Sequence, residues 1–228
     1  MIGSHLDEEI ASRIALVRQQ LPESVCLIAV TKQVSIDAMR SAYAAGIRDF
    51  GESRVQEAEA KQLQLQDLPD ITWHLIGHLQ SNKAKKALAH FQWIHSLDSL
   101  KLAQELDAKA GSLLQKPQVC LQVKLLPDPN KYGWTVPQLL ADLSELDRCQ
   151  NIQILGLMTI PPLDLPQEEI LALFHSTREL AEKIQGQNWS RIQMQHLSMG
   201  MSDDYLLAVQ AGATMVRLGR TLFGERSG

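Results

Sequence analysis

The sequence has few cysteines and no long apolar run, and both absences narrow the class of protein it can encode. Its three cysteines lie far apart, without a Cys-x-x-Cys pair, at positions 26, 120 and 149. This argues against a disulfide framework and against a thiolate zinc site. No apolar stretch approaches the roughly 20 residues that span a bilayer, and the acidic residues 7–9 interrupt the N-terminus where a signal peptide would be apolar. We therefore expect a cytoplasmic protein with no membrane segment.

The sequence also lacks an excess of positive charge, since 22 Lys and Arg residues stand against 26 Asp and Glu residues. Nucleic-acid binding depends mainly on phosphate neutralisation by Lys and Arg, so we expect a small-molecule ligand and no nucleic acid. No Gly-x-Gly-x-x-Gly turn follows an early strand, which removes the main signature of a dinucleotide-binding fold. No repeat or Pro/Gly/Ser-rich linker divides the chain, so we expect one domain over residues 1–228.

What the sequence does contain is a regular alternation of apolar strand patterns and amphipathic helix patterns. The predicted strands are residues 25–32, 47–51, 71–76, 91–95, 118–125, 152–158, 192–197 and 215–218. The predicted helices are residues 36–45, 54–65, 82–90, 100–110, 136–146, 168–184 and 204–211. A further helix, with Ile10, Ile14 and Val17 on one face, precedes the first strand and should cover the bottom or side of the fold. Eight such units in a chain of this length predict an α/β fold, a single (β/α)₈ TIM barrel, rather than a doubly wound sheet.

Lys32 closes the first strand pattern, directly after Val30 and Thr31. TIM barrels carry their sites at the C-terminal ends of the strands, so Lys32 should lie at the barrel mouth. Partial burial lowers the pKa of a lysine from its free value of about 10.4 and leaves part of the amine neutral. Because a neutral amine attacks carbonyl carbon, we hypothesise that Lys32 forms a Schiff base with an aldehyde ligand. The alternative is a solvated lysine in a loop.

The loops after the last two strands predict a phosphate clamp. Barrels often bind phosphate there, through backbone N–H groups and a helix N-terminus. Ser198, Gly200 and Gly219 allow the backbone to approach a ligand, and the helix that follows Gly200 should be capped at position 202 or 203. Arg217 adds a fixed positive charge. The alternative is that this segment is an ordinary turn and that Arg217 is a surface ion-pair partner.

The histidines do not predict a metal site. His74 and His78 have the spacing of a metal-binding pair on a helix, but here they flank a strand end, where that spacing brings no convergence. His175 and His196 are expected to be packed or surface residues. No Ser-His-Asp or Cys-His arrangement is apparent, so we expect neither a metal nor a nucleophile of these classes.

Several strand-end motifs together carry a family resemblance. They are Val30-Thr31-Lys32, Phe50-Gly51-Glu52, residues 73–83, Gly156-Leu157-Met158, residues 197–203, and residues 215–220 with Phe223-Gly224. In these motifs the sequence closely resembles the pyridoxal-phosphate homeostasis protein family, over nearly the whole chain. Residues 51–54 and Gly77-His78 most resemble the cyanobacterial PipY branch of that family.

The resemblance implies a barrel similar to the N-terminal domain of alanine racemase, with pyridoxal 5'-phosphate (PLP) on Lys32. With the clamp, it gives as candidate cofactor-binding residues Lys32, Ser53, Met158, Ser198, Met199, Gly200, Arg217, Gly219 and Arg220. Ser53 and Lys124 stand where many relatives have Asn, and Arg220 stands where a small hydroxyl residue is common. The family implies a role in vitamin B6 and amino-acid homeostasis, with no known catalysed reaction. We expect a monomer that holds the cofactor or delivers it through transient contact with enzymes lacking PLP.

A catalytic alternative stays open, either a racemase-like PLP enzyme of fold type III or a Schiff-base aldolase. Alanine racemases carry a second, β-rich domain that supplies an opposing base across a dimer, whereas this sequence ends at Gly228, soon after the eighth strand. We therefore expect one face of the cofactor to stay open and no efficient turnover. Tyr132, in the loop after the fifth strand, is the least improbable second base among the three tyrosines.

Overall fold

The computed structural model describes residues 2–225, and eight parallel strands in it close into a barrel. With one short strand that is not part of the barrel, the described residues form nine strands: β1 Cys26–Val30, β2 Asp49–Glu52, β3 Thr72–Leu75, β4 Trp93–Leu97, β5 Gln118–Lys124, β6 Trp134–Thr135, β7 Gln153–Met158, β8 His196–Ser198 and β9 Met215–Leu218. The two-residue β6 pairs only with the end of β5, outside the barrel. Each of the other strands pairs with its neighbours, and β9 pairs with β1, which closes the ring. The predicted (β/α)₈ barrel is confirmed.

The helices form a layer around the strands. They are α1 Ile2–Gln20, α2 Ile36–Ala44, α3 Val55–Gln64, α4 Ala84–His90, α5 Leu100–Ala110, α6 Val136–Leu146, α7 Gln167–Gln185, α8 Tyr205–Gln210 and α9 Arg220–Phe223. The extra helix α1 buries Ile10, Ile14 and Val17 and packs against α2 and α9, so it covers the side of the barrel next to β1. Within residues 2–225, no helix combines the length and apolar character needed to cross a bilayer.

Alternation along the strands separates an outer core from a smaller inner one. In β1, Leu27 and Ala29 pack in the outer core under the helices, whereas Ile28 faces the barrel interior. Ile28 meets the inward-facing side chains of other strands, which are Trp93, Cys120, Met158 and Met215. Residues of the same parity further along each strand therefore face the interior or the mouth.

Most predicted boundaries are shifted by one or two residues, and three differences from the sequence prediction have a local cause. β6 was not predicted because two residues carry no periodic pattern. The eighth barrel strand begins at His196 rather than Ile192, because the Asp147 carboxylate accepts the N–H groups of residues 190–192 and holds that segment as a loop. Helix α8 begins at Tyr205, after a turn in which the Asp204 carboxylate accepts the N–H of Met201 at 2.6 Å. The predicted helix cap at position 202 or 203 is therefore wrong.

Candidate functional site

Lys32 lies at the barrel mouth, half-buried, in the turn that follows β1. The alternation through Ile28 and Val30 puts position 32 on the inward side of the strand. The next residue, Gln33, has φ of 60°, a left-handed conformation that is uncommon for residues other than glycine. Its N–H donates to Glu57 Oε1 at 2.6 Å. The turn that carries Lys32 is thus held from helix α3.

A buried network, which we call the outer network, supports this turn from outside the barrel. Lys61 Nζ on α3 donates to the Thr31 carbonyl at 2.5 Å, to Glu52 Oε1 at 2.8 Å and to Glu57 Oε1 at 2.7 Å. Thr31 Oγ1 also donates to Glu52 Oε1, at 2.6 Å. Burial raises the pKa of Glu52 in spite of these donors. Burial would also raise the pKa of Glu57, but hydrogen bonds from Lys61 and Gln33 outweigh it and lower that pKa.

Sequence reasoning missed Lys61. In the sequence, Glu57 and Lys61 form an ordinary pair four residues apart on a helix, which is typical of a solvated face. Burial of Lys61 follows from the approach of α3 to the ends of β1 and β2. The one available signal was the motif Gly51-Glu52, which places a carboxylate at the end of an apolar strand.

Arg217 is a buried cation at the level of the C-terminal ends of β7 and β8, with only 4% of its surface exposed. Its Nη1 donates to Ser198 Oγ at 2.6 Å and its Nη2 donates to the Thr159 carbonyl at 3.0 Å. Burial lowers the pKa of Arg217 to about 10, while the carboxylate of Asp204 opposes this shift. The guanidinium therefore stays charged at neutral pH. The alternative that Arg217 is a surface ion-pair partner is wrong.

The turn between β9 and α9 presents two backbone N–H groups to one oxygen atom. Gly219 N and Thr221 N both point at Ser202 Oγ, at the long distances of 3.4 and 3.3 Å. Gly200, at φ of 94°, permits the neighbouring turn, because a Cβ there would lie 2.7 Å from Ala208 Cβ. Convergent backbone N–H groups of this kind suit an anion. These groups fit a phosphate, although the clamp itself stays a prediction.

The structure separates the candidate residues into two groups. Ser53, Met158, Ser198, Gly200, Arg217 and Gly219 share the inward parity of Lys32. Met199 instead packs in the outer core, so only its backbone can face a ligand. The side chain of Arg220 is half-exposed and pairs with Asp203 and Glu225. The two side chains that do not reach the interior are therefore those of Met199 and Arg220.

The segment of residues 125–133, which we call the mouth loop, connects several strand ends across the mouth. Gln122 Nε2 donates to the Tyr132 carbonyl at 3.0 Å, and Lys131 Nζ donates to the carbonyl of Pro161 after β7. The Tyr132 ring stacks on His78 with centroids 3.5 Å apart and an interplanar angle of 8°. His78 Nδ1 in turn lies 2.9 Å from Asp98 Oδ2. His78 is thus a mouth residue, whereas His74 lies inside the barrel.

Comparisons with known proteins agree with this geometry. The family model for the N-terminal domain of alanine racemase matches residues 7–227. A pyridoxal phosphate homeostasis protein from Synechocystis is 51% identical over 206 residues, which are 90% of this chain and 94% of the relative.

Solved structures extend the comparison. PipY of Synechococcus elongatus matches without PLP at a TM-score of 0.91 and 57% identity, and with PLP bound at 0.90 and 55%. Both matches cover 94% of this chain and 100% of the PipY chain. An alanine racemase from Clostridium difficile, at 16% identity and a TM-score of 0.75, covers 97% of this chain and 60% of its own, and shares the fold alone. The resemblance carried by the strand-end motifs is confirmed, and the chain belongs to the pyridoxal phosphate homeostasis protein family.

Proposed function

We propose that this protein binds PLP at the barrel mouth and acts in PLP and amino-acid homeostasis without catalysing a reaction of its own. The observation that carries the proposal is the buried Arg217 charge on the same inward side as Lys32. A ligand with an aldehyde and a phosphate on one aromatic ring suits an amine, a buried cation and convergent backbone N–H groups in one barrel mouth. The PLP-bound structure of PipY, a relative at 55% identity, supports the same cofactor.

The residues that would hold PLP follow from their positions. Lys32 would bind the aldehyde carbon as a Schiff base. Arg217 would supply a fixed positive charge from inside the barrel. The turn of Gly219, Arg220 and Thr221 would contribute backbone N–H groups, with Gly200 and the backbone of Met199 on the opposite side of the clamp. Ser53 and Met158 would line the walls. When bound, PLP supplies an electron-withdrawing ring that can stabilise a carbanion.

The Lys32 assignment is tested by replacing the amine. We expect Lys32→Ala to give a folded protein that lacks the visible absorption of a PLP Schiff base, because the amine that forms the imine is lost while the outer network still holds the mouth turn. Lys124→Ala, at the end of β5, is the matched control and should keep the band. After borohydride reduction, mass spectrometry should find the modified peptide around position 32. A reducible band that persists in Lys32→Ala would show that another lysine is the site.

The absence of catalysis is tested with amino acids. Racemisation needs a base on each face of the cofactor within hydrogen-bond reach of the α-carbon. Lys32 could serve one face, whereas Tyr132 stacks on His78 and leaves 56% of its surface exposed. We therefore expect negligible α-proton exchange into deuterated water across a panel of L- and D-amino acids. Turnover on the order of 1–10 s⁻¹ that disappears in Lys32→Ala would establish a PLP enzyme instead.

The proposal extends to how the protein works in the cell. We propose a single-domain cytoplasmic monomer that releases PLP to cofactor-free enzymes through transient contacts. Reactivation of a PLP-free transaminase by the loaded protein, compared with free PLP at the same concentration, tests delivery. Reactivation no faster than with free PLP would leave storage as the function. Sedimentation of the loaded protein at several concentrations tests the monomer.

A further inference from the structure

A chain of polar side chains, buried except for the half-buried Asp49 at its lower end, crosses the barrel interior to Arg217. We call it the inner chain. It consists of Arg217, Ser198, His95, His74 and Asp49, which come from β9, β8, β4, β3 and β2. Ser198 Oγ lies 2.7 Å from His95 Nδ1, His95 Nε2 lies 2.9 Å from His74 Nδ1, and His74 Nε2 lies 2.9 Å from Asp49 Oδ1. Barrel interiors are usually filled with layers of branched apolar side chains, so a row of polar side chains such as the inner chain needs an explanation.

The Asp49 end of the inner chain fixes the direction of every hydrogen bond in it when both histidines are neutral. A carboxylate only accepts, so His74 carries its proton on Nε2 and donates to Asp49. His74 Nδ1 then accepts, so His95 carries its proton on Nε2 and donates to that atom. His95 Nδ1 accepts in turn, so the Ser198 hydroxyl directs its single hydrogen to His95, while its oxygen accepts from Arg217.

The histidines in the middle stay neutral, as this arrangement requires. Burial lowers the pKa of His74, although the Asp49 carboxylate opposes the shift. Burial lowers the pKa of His95 well below its usual range, and positive charge on Arg217, or on His74 or His196 when these are protonated, acts in the same direction. A protonated His95 would place a second N–H against Ser198 and reverse that link.

We propose that His95 and His74 are positioning residues, which orient Ser198 and, through it, hold the Arg217 guanidinium in place for its ligand. The Ser198 hydroxyl uses its only hydrogen on His95, so it offers an anionic ligand no donor. Hydrogen bonds to Ser198 and Thr159 use two of the five guanidinium N–H groups, and within residues 2–225 no further hydrogen bond takes up the other three, which can meet a ligand. This inference rests on the proposed function only where it names PLP as that ligand.

The first test uses the protein without PLP. Long-range proton–nitrogen correlation spectra of the histidine rings distinguish the two neutral tautomers directly. We expect His74 and His95 to be protonated on Nε2 alone at pH 7.5, and we expect Ser198→Ala to shift the Nδ1 signal of His95. His196→Gln is the control, since this ring lies in the same interior but outside the inner chain. A His95 protonated on Nδ1 in the wild-type protein would overturn the proposal.

The second test asks whether the inner chain acts through Arg217. We expect His95→Phe to shift the Arg217 guanidinium signals of the PLP-free protein and to weaken PLP binding about tenfold. His95→Asn keeps an acceptor for Ser198, so it should lose less PLP affinity than His95→Phe. This variant also provides the test if His95→Phe does not fold. In an Arg217→Met background the same substitutions should change PLP affinity little.

Two outcomes separate this inference from the proposed function. If the wild-type protein does not bind PLP but both histidines show the expected tautomer and the Arg217 signals respond, the inner chain stands and the cofactor assignment fails. If PLP binds, and His95→Phe weakens PLP binding by the same factor in the wild-type and the Arg217→Met backgrounds, the positioning role is overturned.

Discussion

The outer network and the inner chain each bury a cation next to the barrel mouth, but they treat its charge differently. Lys61 touches two carboxylates directly, those of Glu52 and Glu57, at 2.8 and 2.7 Å. Arg217 touches a hydroxyl and a carbonyl oxygen, and the inner chain reaches the carboxylate of Asp49 only through three neutral side chains. The charge of Lys61 is neutralised by carboxylates in direct contact, so it supports the structure. The charge of Arg217 has no carboxylate in its hydrogen bonds to Ser198 and Thr159, so it can still attract an anion.

The largest expected effect comes from breaking the outer network. Lys61→Met removes the partner of a fully buried carboxylate, and losing one member of a buried ion pair costs about 3–5 kcal/mol. We expect a loss of this size in the free energy of unfolding, measured by urea denaturation. Lys86→Met is the control, because Lys86 and Glu59 form a solvent-exposed pair, and such pairs contribute little to stability. Equal losses in the two variants would contradict a structural role for Lys61.

Arg217→Met should produce the reverse pattern. It should weaken PLP retention about tenfold to a hundredfold, because a hydrogen bond to a charged group contributes about 1.5–3 kcal/mol. Its effect on the free energy of unfolding should be smaller than that of Lys61→Met. Equilibrium dialysis and urea denaturation of both variants measure the two effects. If Arg217→Met retains PLP as well as the wild-type protein, Arg217 is not part of the site.

Local periodicity in the sequence predicted the barrel, and it placed Lys32 at the end of one apolar strand and Arg217 within another, on the same inward side. Ser53 and Met158 were candidates through the family resemblance instead. The outer network and the inner chain could not be predicted. Lys61 reaches Glu52 and Thr31 only when α3 packs on the barrel, and His95 meets Ser198 across 103 positions of sequence. Strand closure creates such contacts, and no pattern within one strand encodes them.

As pH falls, the inner chain and the outer network should change the stability of the protein in opposite directions. The pKa values of His74 and His95 are lowered on folding, so as pH falls below about 6.5 the unfolded chain takes up protons that the folded one excludes. Stability should then fall by at most about 1.4 kcal/mol per pH unit for each histidine. The raised pKa of Glu52 acts oppositely and favours the folded state as pH decreases toward 4.5. Urea denaturation between pH 5 and 8 should show a shallower slope for His95→Asn than for the wild-type protein.

The smallest expected effect concerns Arg220, a candidate binding residue whose side chain lies on the surface. Arg220→Ala keeps the backbone N–H and removes only the exposed pairs with Asp203 and Glu225. We expect PLP affinity to change by less than about twofold and stability by less than about 1 kcal/mol. A tenfold loss of PLP on dialysis would show that this side chain turns inward when the ligand binds.

The stacked rings of Tyr132 and His78 have a kinetic consequence. A ligand that enters between the loops after β3 and β5 must first part these rings, which meet face to face. An aromatic pair adds only about 0.5–1.5 kcal/mol beyond its area burial, and Tyr132 is already 56% exposed, so the stacking itself lowers the open population by about tenfold at most. Passage through this part of the mouth would then be fast relative to breaking a covalent bond to Lys32. The residence time of PLP should therefore be set by chemistry at the lysine, not by opening of the mouth loop.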